Sequence, residues 1–276
     1  MKKKKHHSIL ILSLLVLLSV YICYAYKPIL AHVNNINNIN YNTNSVSVTI
    51  TDANFPAVIS LDNSSQDSTL PDITAEIAGN LDTQSILLPV DNVFQLPELP
   101  TGCEITSLTI VLNFLGFPVD KEYMARDYLQ KSDPFVGSFN DYFIGSPWNE
   151  SAWGCYAPVI TKSANRFFND QNSKLIAYNI SGSSMEALCT QVESGNPVIV
   201  WTSRYLDIET TKYPIKLKNG YTDYWYSNEH CVVITGYDLQ KGTLTVCDPL
   251  DGVVERDLNT FAARYAEFQR MAIVIK

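Results

Sequence analysis

Apolar residues recur at a helical spacing immediately after a proline-containing segment near residue 100. Between residues 104 and 115, the apolar positions include Ile105, Leu108, Val111, Leu112 and Leu115. Their spacing is close to the 3.6-residue repeat of an α-helix with one buried face. Gly116 follows, and glycine commonly terminates helices because it tolerates left-handed backbone angles. The pattern therefore predicts a helix over residues 104–115.

Elsewhere in residues 85–276, helical patterns come first and strand patterns follow. Further helices are predicted at 121–130, 159–168 and 184–194, and a long ordered loop at 132–158. Apolar, β-branched runs predict strands at 197–202, 231–237, 243–247 and 271–275. Helices followed by strands favour an α+β domain with a mainly antiparallel sheet.

The first 26 residues have the pattern of an export signal. Lys2–Lys5 form a basic stretch, and residues 9–25 are almost wholly apolar. A cleaved signal peptide is favoured, with Ala25 or Ala31 before the cut. An uncleaved membrane anchor is the alternative, although the run is slightly short for a span. Lipid attachment at Cys23 is disfavoured because bulky residues precede it.

Residues 27–84 are predicted to be a linker. They include an asparagine-rich tract of low complexity, which is typical of a flexible spacer. Within the linker, residues 45–50 alternate like a strand, and a short helix is predicted near residues 73–78. The compact domain is predicted to span residues 85–276. A spacer of this kind would hold such a domain away from a membrane or cell wall.

Charge and cysteine content narrow the function classes. The formal charge is −8, and without the basic leader 16 basic residues face 28 acidic ones, a balance of −12. This argues against a nucleic-acid partner, which needs clustered lysine and arginine. Five cysteines remain after the leader, so at least one is unpaired within the chain, and no Cys-x-x-Cys pair predicts a zinc site. An exported protein with a free thiol fits a thiol enzyme that needs no metal or organic cofactor.

Cys103 is the candidate nucleophile. It directly precedes the predicted helix, whose positive dipole end is expected to lower the thiol's pKa. Its backbone N–H is one of the unpaired donors of a first helical turn, so it is available to an oxyanion. Gly102 before it permits close backbone approach. Taken alone, a buried cysteine acting as a small apolar residue is the more common case.

His230 and Asp248 are the candidate base and its orienting acid. His230 is the single histidine of the predicted domain, and it precedes one strand, whereas Asp248 follows the next. A hairpin folded about Leu239 would place the two side chains opposite each other, where an acid orients the imidazole. The same register puts Cys231 opposite Cys247, either as reduced core neighbours, which we favour, or as a strained disulfide. Individually, a core histidine and a turn aspartate remain alternative interpretations.

Two further groups of residues are candidates for the site. Gln95 lies in the irregular segment before Cys103, where its amide is a candidate second oxyanion donor, although a loop glutamine is usually just solvated. The four tryptophans are candidates for lining a substrate groove or for filling the core: Trp148, Trp153, Trp201 and Trp225. Residues 207–226 are predicted to be an inserted hairpin that overhangs the site.

Several of these segments together resemble one family. Gln95-Leu-Pro-Glu-Leu-Pro-Thr-Gly-Cys-Glu-Ile-Thr-Ser-Leu with Leu112-Asn-Phe-Leu-Gly is similar to the opening motif of the C39-like peptidases, which are bacterial papain-like cysteine peptidases. The remaining matching segments are Phe135-Val-Gly-Ser, Gly154-Cys-Tyr-Ala-Pro, Glu229-His-Cys-Val-Val-Ile-Thr-Gly-Tyr-Asp and Val246-Cys-Asp-Pro. The resemblance covers roughly residues 88–276.

The resemblance implies a papain-like fold and an activity. A helical N-terminal part would carry Cys103 and pack on a C-terminal antiparallel sheet that carries His230 and Asp248. Cys103 is implied as nucleophile, His230 as base, Asp248 as orienter and Gln95 as oxyanion donor. We expect a monomeric peptidase acting on a peptide or protein, secreted or membrane-anchored at the bacterial cell surface, with the N-terminus making any membrane or wall contact. The alternatives are transglutaminase-like acyl transfer and a non-catalytic surface-binding module.

Overall fold

The computed structural model describes residues 73–79, 81–206 and 210–276. The predicted export segment and the asparagine-rich tract lie outside these residues, as does the predicted strand at residues 45–50. Within the described residues, no helix combines the length and apolar character that a membrane crossing requires.

Most of the described helices precede the long strands of the sheet, as predicted, but short strands lie between the helices and one helix follows the tenth strand. The helices are α1 Thr74–Ala78, α2 Cys103–Phe114, α3 Lys121–Asp127, α4 Ala157–Asp170, α5 Met185–Glu193 and α6 Leu258–Glu267. The strands of the main sheet are β1 Ser85–Leu87, β4 Ala177–Asn179, β5 Val198–Ser203, β8 Glu229–Asp238, β9 Thr243–Asp248, β10 Gly252–Asp257 and β11 Ala272–Ile275. Two short pairs are β2 Lys131–Ser132 with β3 Phe143–Ile144, and β6 Lys212–Lys216 with β7 Thr222–Tyr226.

The main sheet has seven strands in the order β10-β9-β8-β5-β11-β4, and β1 pairs with the end of β8. Its pairings are all antiparallel. The prediction of a mixed helical and mainly antiparallel domain is therefore confirmed.

Both faces of the sheet are covered. Alternate residues of β5 and β8, such as Trp201 and Val233, belong to a core shared with α2 and α4. Their neighbours, such as Val200 and Val232, belong to a second core shared with α5 and α6. Strands buried on both faces are apolar throughout rather than alternating, which explains why β5 and β8 are recognisable as continuous apolar runs.

Two parts of the domain differ from the sequence prediction. The packed region begins by residue 73 rather than at 85, because Ile77 of α1 and Leu81 are buried in the second core. The predicted short helix near residues 73–78 corresponds to α1. Strand β10 and helix α6 have no counterpart among the predicted elements, because β10 is a charged edge strand and α6 buries only a narrow apolar stripe.

Candidate active site

Helix α2 begins at Cys103, one residue earlier than the spacing predicts. A side chain on Gly102 would put its Cβ 2.8 Å from the Leu99 Cβ, so glycine is required for the chain to enter the helix here. The first ten residues of α2 are all buried. Two of its buried hydroxyl groups are hydrogen-bonded. Thr109 Oγ1 donates to the Ile105 carbonyl at 2.8 Å, and Ser107 Oγ donates to the Cys231 carbonyl at 3.0 Å, which fixes α2 against β8.

The segment before α2 is hydrogen-bonded both to helix α3 and to the residue that follows strand β9. Lys121 Nζ at the start of α3 donates to the Gln95 carbonyl at 3.0 Å and forms an ion pair with Glu98 at 2.7 Å. The Gln95 N–H donates to the Pro249 carbonyl at 2.9 Å, next to the end of β9. These contacts set the position of Gln95 relative to the helices and the sheet.

The Gln95 side chain is buried, and its amide is directed at the backbone. Nε2 donates to the carbonyls of Leu99 at 3.2 Å and Pro100 at 2.9 Å. Oε1 is buried without a hydrogen-bond partner among the described residues. The donor that the sequence analysis assigned to an oxyanion is therefore engaged by two carbonyls in this structure.

His230 and Asp248 are in direct contact. His230 Nε2 lies 2.6 Å from Asp248 Oδ1, and both side chains are almost fully buried. Because Nε2 is the atom that meets the carboxylate, Nδ1 remains for another partner.

The predicted hairpin register is wrong. Val233 pairs with Cys247, and the register shifts at a bulge between Ile234 and Gly236. Extending the pairing of Val233 with Cys247 makes His230 and Asp248 diagonal neighbours on one face rather than directly opposite residues. Cys231 and Cys247 are consequently not opposite each other, and both are free and buried.

Several groups stabilise the ionised form of Asp248. Burial on its own would raise the carboxyl's pKa, but the hydrogen bond and charge of His230 lower it, and together with other contacts they hold it below 3.8. The other contacts are the Leu250 N–H, which donates to Oδ1 at 2.8 Å, and Arg256, whose Nη2 lies 3.5 Å from Oδ2. Arg256 belongs to the missed strand β10, so the sequence analysis did not identify it.

Cys103 is hydrogen-bonded to a carboxyl group rather than to the imidazole. Its Sγ donates to Glu104 Oε2 at 3.3 Å, and no hydrogen bond joins it to His230 in the described part of the chain. Burial, followed by the charges of Glu104 and Glu229, raises the pKa of the Cys103 thiol well above 9.0. The expectation of a lowered pKa from the helix position alone is wrong for this resting geometry.

Glu104 and Glu229 form a buried carboxyl pair beside the nucleophile. Carboxyl oxygens of both residues and Cys103 Sγ lie within 4.8 Å of one another. Burial raises the pKa of Glu104 to about 7, and burial with the charge of Glu104 raises that of Glu229 well above 4.5. Burial therefore favours the protonated forms of both carboxyl groups. The signal in the sequence was Glu104 itself, which directly follows the nucleophile.

One cavity of about 250 Å³ brings three of the four predicted site residues together. Cys103, His230 and Gln95 all line it, while Asp248 lies behind His230. Its other lining residues are Pro100, Thr101, Glu150, Ala152, Trp153, Arg204, Trp225, Asn228, Glu229 and Leu250.

The tryptophans divide between the groove and other parts of the molecule. Trp153 and Trp225 line the cavity, and Trp225 comes from β7 of the predicted hairpin. Trp201 is fully buried in the core, where its Nε1 donates to the Cys155 carbonyl at 3.0 Å. Trp148 is partly exposed and donates to Glu122 outside the cavity.

Comparison with known proteins gives a consistent result. The sequence profile of the Peptidase_C39 like family matches residues 87–273. The chain is 33% identical over 192 residues to the uncharacterized protein YvpB of Bacillus subtilis (strain 168), covering 67% of this chain and 73% of that protein. A crystal structure from Bacillus anthracis, assigned to the C39-like peptidases, aligns with a TM-score of 0.62 and 28% identity, covering 70% of this chain and 98% of the other.

Proposed function

Because the chain belongs to the Peptidase_C39 like family, we propose that it is a cysteine peptidase with Cys103 as nucleophile, His230 as general base and Asp248 as the residue that orients His230. The observation that carries the proposal is that Cys103 at a helix N-terminus and the Asp248-bound His230 line one cavity. A nucleophile, a base and an orienting acid in this relation are the requirements of acyl transfer through a thioester.

In the proposed reaction, each proton transfer goes through His230 Nδ1. His230 Nδ1 takes the Cys103 thiol proton, while the Nε2–H stays on the imidazole and remains hydrogen-bonded to Asp248 Oδ1. The thiolate attacks the peptide carbonyl carbon, and His230 returns the proton to the leaving amine nitrogen. Water, deprotonated by the same imidazole, then attacks the thioester carbonyl and releases the acyl group and the thiol. Productive Cys103–His230 geometry requires the thiol proton to turn from Glu104 Oε2 towards His230 Nδ1, and catalytic hydrogen bonds often tighten only with substrate bound.

The oxyanion is proposed to be stabilised by two donors. The Cys103 N–H, in the first turn of α2, has no recorded acceptor within the described residues and is the first donor. Gln95 is the second, which requires its Nε2 to give up the Leu99 or Pro100 carbonyl when substrate binds. Each such donor contributes about a 10²–10³-fold rate increase in related chemistry.

The substrate is proposed to be a peptide or protein segment. Trp153 and Trp225 offer ring faces along the cavity, where apolar side chains of a peptide would pack. We further propose that the protein acts outside the cell, on the basis of the basic and apolar pattern of residues 2–25. Immunodetection of the tagged full chain in membrane, wall and medium fractions tests this location, and recovery from the cytoplasm alone would contradict it.

Peptidase activity is tested on the purified full chain with casein and a fluorogenic peptide library. We expect cleavage by the wild type, loss of at least ~10³-fold in Cys103→Ala, and no loss in Cys189→Ala, which removes a buried thiol of α5 away from the cavity. Iodoacetamide should label Cys103 faster than the other thiols.

Two outcomes would point to other functions. Products carrying an added primary amine instead of a free carboxyl group would indicate acyl transfer. Unchanged biological activity in Cys103→Ala, together with equal labelling of Cys103 and Cys189, would indicate a non-catalytic module and overturn the proposal.

A further inference from the structure

The thiol proton of Cys103 is held by an acid that the proposed mechanism does not use. Cys103 Sγ donates to Glu104 Oε2 at 3.3 Å, whereas His230, the proposed base, has its own contact with Asp248. The inference below rests on the proposed function, because it concerns which group competes with His230 for that proton.

The two oxygens of Glu104 have different environments. Oε1 accepts a hydrogen bond from the Cys155 N–H at 2.6 Å, so this oxygen acts as an acceptor. Oε2 faces the sulfur. A proton bound by Glu104 would therefore sit on Oε2, where it can be donated to a thiolate, and an ionised Glu104 can only accept from the thiol.

The surroundings of Glu104 disfavour its ionisation. Glu229 is the nearest second carboxyl group, and its Oε1 is buried without a hydrogen-bond partner among the described residues. No ion pair to either carboxyl group is recorded in the described ranges. The titratable groups that interact electrostatically with the pair are Cys103 on α2, Cys155 and Tyr156 before α4, and Cys231 on β8. Glu150, Arg204 and His230 line the same cavity as Glu229.

The backbone beside Glu104 also leaves no room for a side chain at position 154. A Cβ on Gly154 would collide with Glu104 Oε1 and lie 3.4 Å from Glu229 Oε2. Gly154 has φ +115°, a conformation that favours glycine. The backbone around the carboxyl pair is thus closely fitted to it.

We propose that Glu104 is a positioning acid for Cys103, which supports the thiolate when it is protonated and keeps the thiol unreactive when it is ionised. In the protonated state, the Cys103 proton passes to His230 Nδ1, and Glu104 Oε2–H donates to the sulfur. In the ionised state, the sulfur keeps its proton and donates it to Oε2, as the resting geometry has it.

With this arrangement, the reactivity of Cys103 should change with pH in the direction opposite to that of an ordinary thiol. Burial raises the pKa of Glu104 to about 7, so Glu104 loses its proton near neutral pH. An isolated thiol becomes more reactive as pH rises, because more of it is thiolate. Cys103 is expected to become less reactive between pH 6 and pH 8, because the Glu104 charge then opposes the thiolate.

The test is alkylation of the full chain by iodoacetamide from pH 5 to pH 9, with each cysteine quantified by mass spectrometry. In the wild type, we expect the Cys103 rate to fall about 5- to 10-fold between pH 6 and pH 8, the effect of roughly one pKa unit. In Glu104→Gln, the amide oxygen can still accept a hydrogen bond from the Cys155 N–H, and its NH₂ can donate to the sulfur. Because this amide does not ionise, the fall in the Cys103 alkylation rate should vanish.

Two control variants identify the responsible carboxyl group. Glu229→Gln should retain the fall, and so should Glu122→Gln, which alters an acid outside the cavity. A wild-type rate that rises steadily with pH would overturn the proposal, and this needs no variant to fold. Persistence of the fall in Glu104→Gln, or its loss in Glu229→Gln, would also overturn it. Because alkylation needs no peptide substrate, a failure of the peptidase proposal is distinguishable from a failure of this one.

Discussion

Asp248 and Glu104 are both almost completely buried at the same site, yet their carboxyl pKa values are shifted in opposite directions. Asp248 receives hydrogen bonds from His230 and the Leu250 N–H, and the guanidinium of Arg256 is nearby. Glu104 accepts hydrogen bonds from the Cys155 N–H and the Cys103 thiol, and a second carboxyl group, that of Glu229, lies beside it. Burial penalises the charge of both groups, and the neighbouring groups decide which one ionises.

The difference matches the two tasks in the proposed mechanism. A charged Asp248 stabilises the imidazolium that forms when His230 takes a proton. A charged Glu104 would oppose the thiolate that forms at the same moment. The site therefore combines one acid kept ionised with a second acid kept protonated over a limited pH range.

The largest expected effect comes from removing the charge of Asp248. Asp248→Asn should lower kcat about 10³- to 10⁴-fold with little change in KM, because the imidazole loses its orientation and its stabilised charged form. Steady-state kinetics measure this. Asp251→Asn is the matched control, since Asp251 also contacts Arg256 at 2.8 Å but is exposed. A loss below tenfold in Asp248→Asn would contradict the assigned role.

Gly154→Ala should disturb the carboxyl pair by crowding it. The added Cβ would collide with Glu104 Oε1, and alanine is strained at φ +115°, so the free energy of unfolding should fall by about 2–4 kcal/mol. Urea denaturation provides the measurement. Gly182→Ala, at φ +94° with nothing within 4 Å of its Cβ, isolates the backbone strain and should lose less. Equal losses would show that the fit to Glu104 does not matter.

Glu104→Gln should change how stability depends on pH. The folded state holds the Glu104 proton up to about pH 7, whereas the unfolded state releases it near the ordinary 4.5. Between these values the folded state binds more protons, so the wild type's free energy of unfolding should fall as pH rises, by on the order of 2 kcal/mol. Denaturant titrations at pH 5 and pH 8 should find this fall largely absent in Glu104→Gln, and an unchanged fall would assign it to another group.

Arg256→Gln should have the smallest effect. The pKa of Asp248 is lowered, so its stabilising contribution is present above pH 3.8 and is lost as pH falls through its folded-state value. Without Arg256, that loss should begin at a higher pH, and the free energy of unfolding at pH 7 should drop by about 0.5–1 kcal/mol, since the arginine is partly exposed. Acid titration by circular dichroism measures the shift. An unchanged midpoint would show that His230 and Leu250 suffice.

Local patterns predicted much of the fold. The apolar repeat after Cys103 and the continuous apolar runs of β5 and β8 are strong because their residues are buried on nearly every side. The predicted turn centre at Leu239 was wrong, because Asp238 pairs with Thr243, and the bulge between Ile234 and Gly236 changes the pairing by one residue. Strand β10 has only two apolar residues followed by three consecutive charged ones, as an edge strand tolerates, which gives a weak signal.

Some residues of the site were predictable from local sequence patterns, and others were not. Cys103, His230 and Asp248 stand out because each adjoins a helix or strand end, and two of them meet despite the wrong register. Glu104 was missed because a charged residue in the first turn of a helix is ordinarily exposed. Arg256 and Lys121 act through tertiary contacts with Asp248 and Gln95, which no local pattern reveals.

The hydrogen bond from the Gln95 N–H to the Pro249 carbonyl has a consequence for sequence change in this protein. It joins the backbone eight residues before Cys103 to the backbone immediately after Asp248. Lengthening either stretch by even one residue would pull the two apart and displace Gln95 from the cavity. Among the described residues, the exposed turn at 218–220 has a backbone hydrogen bond to Phe135 but none to a cavity residue, so insertions that diversify the protein should accumulate there while both tethered stretches keep their lengths.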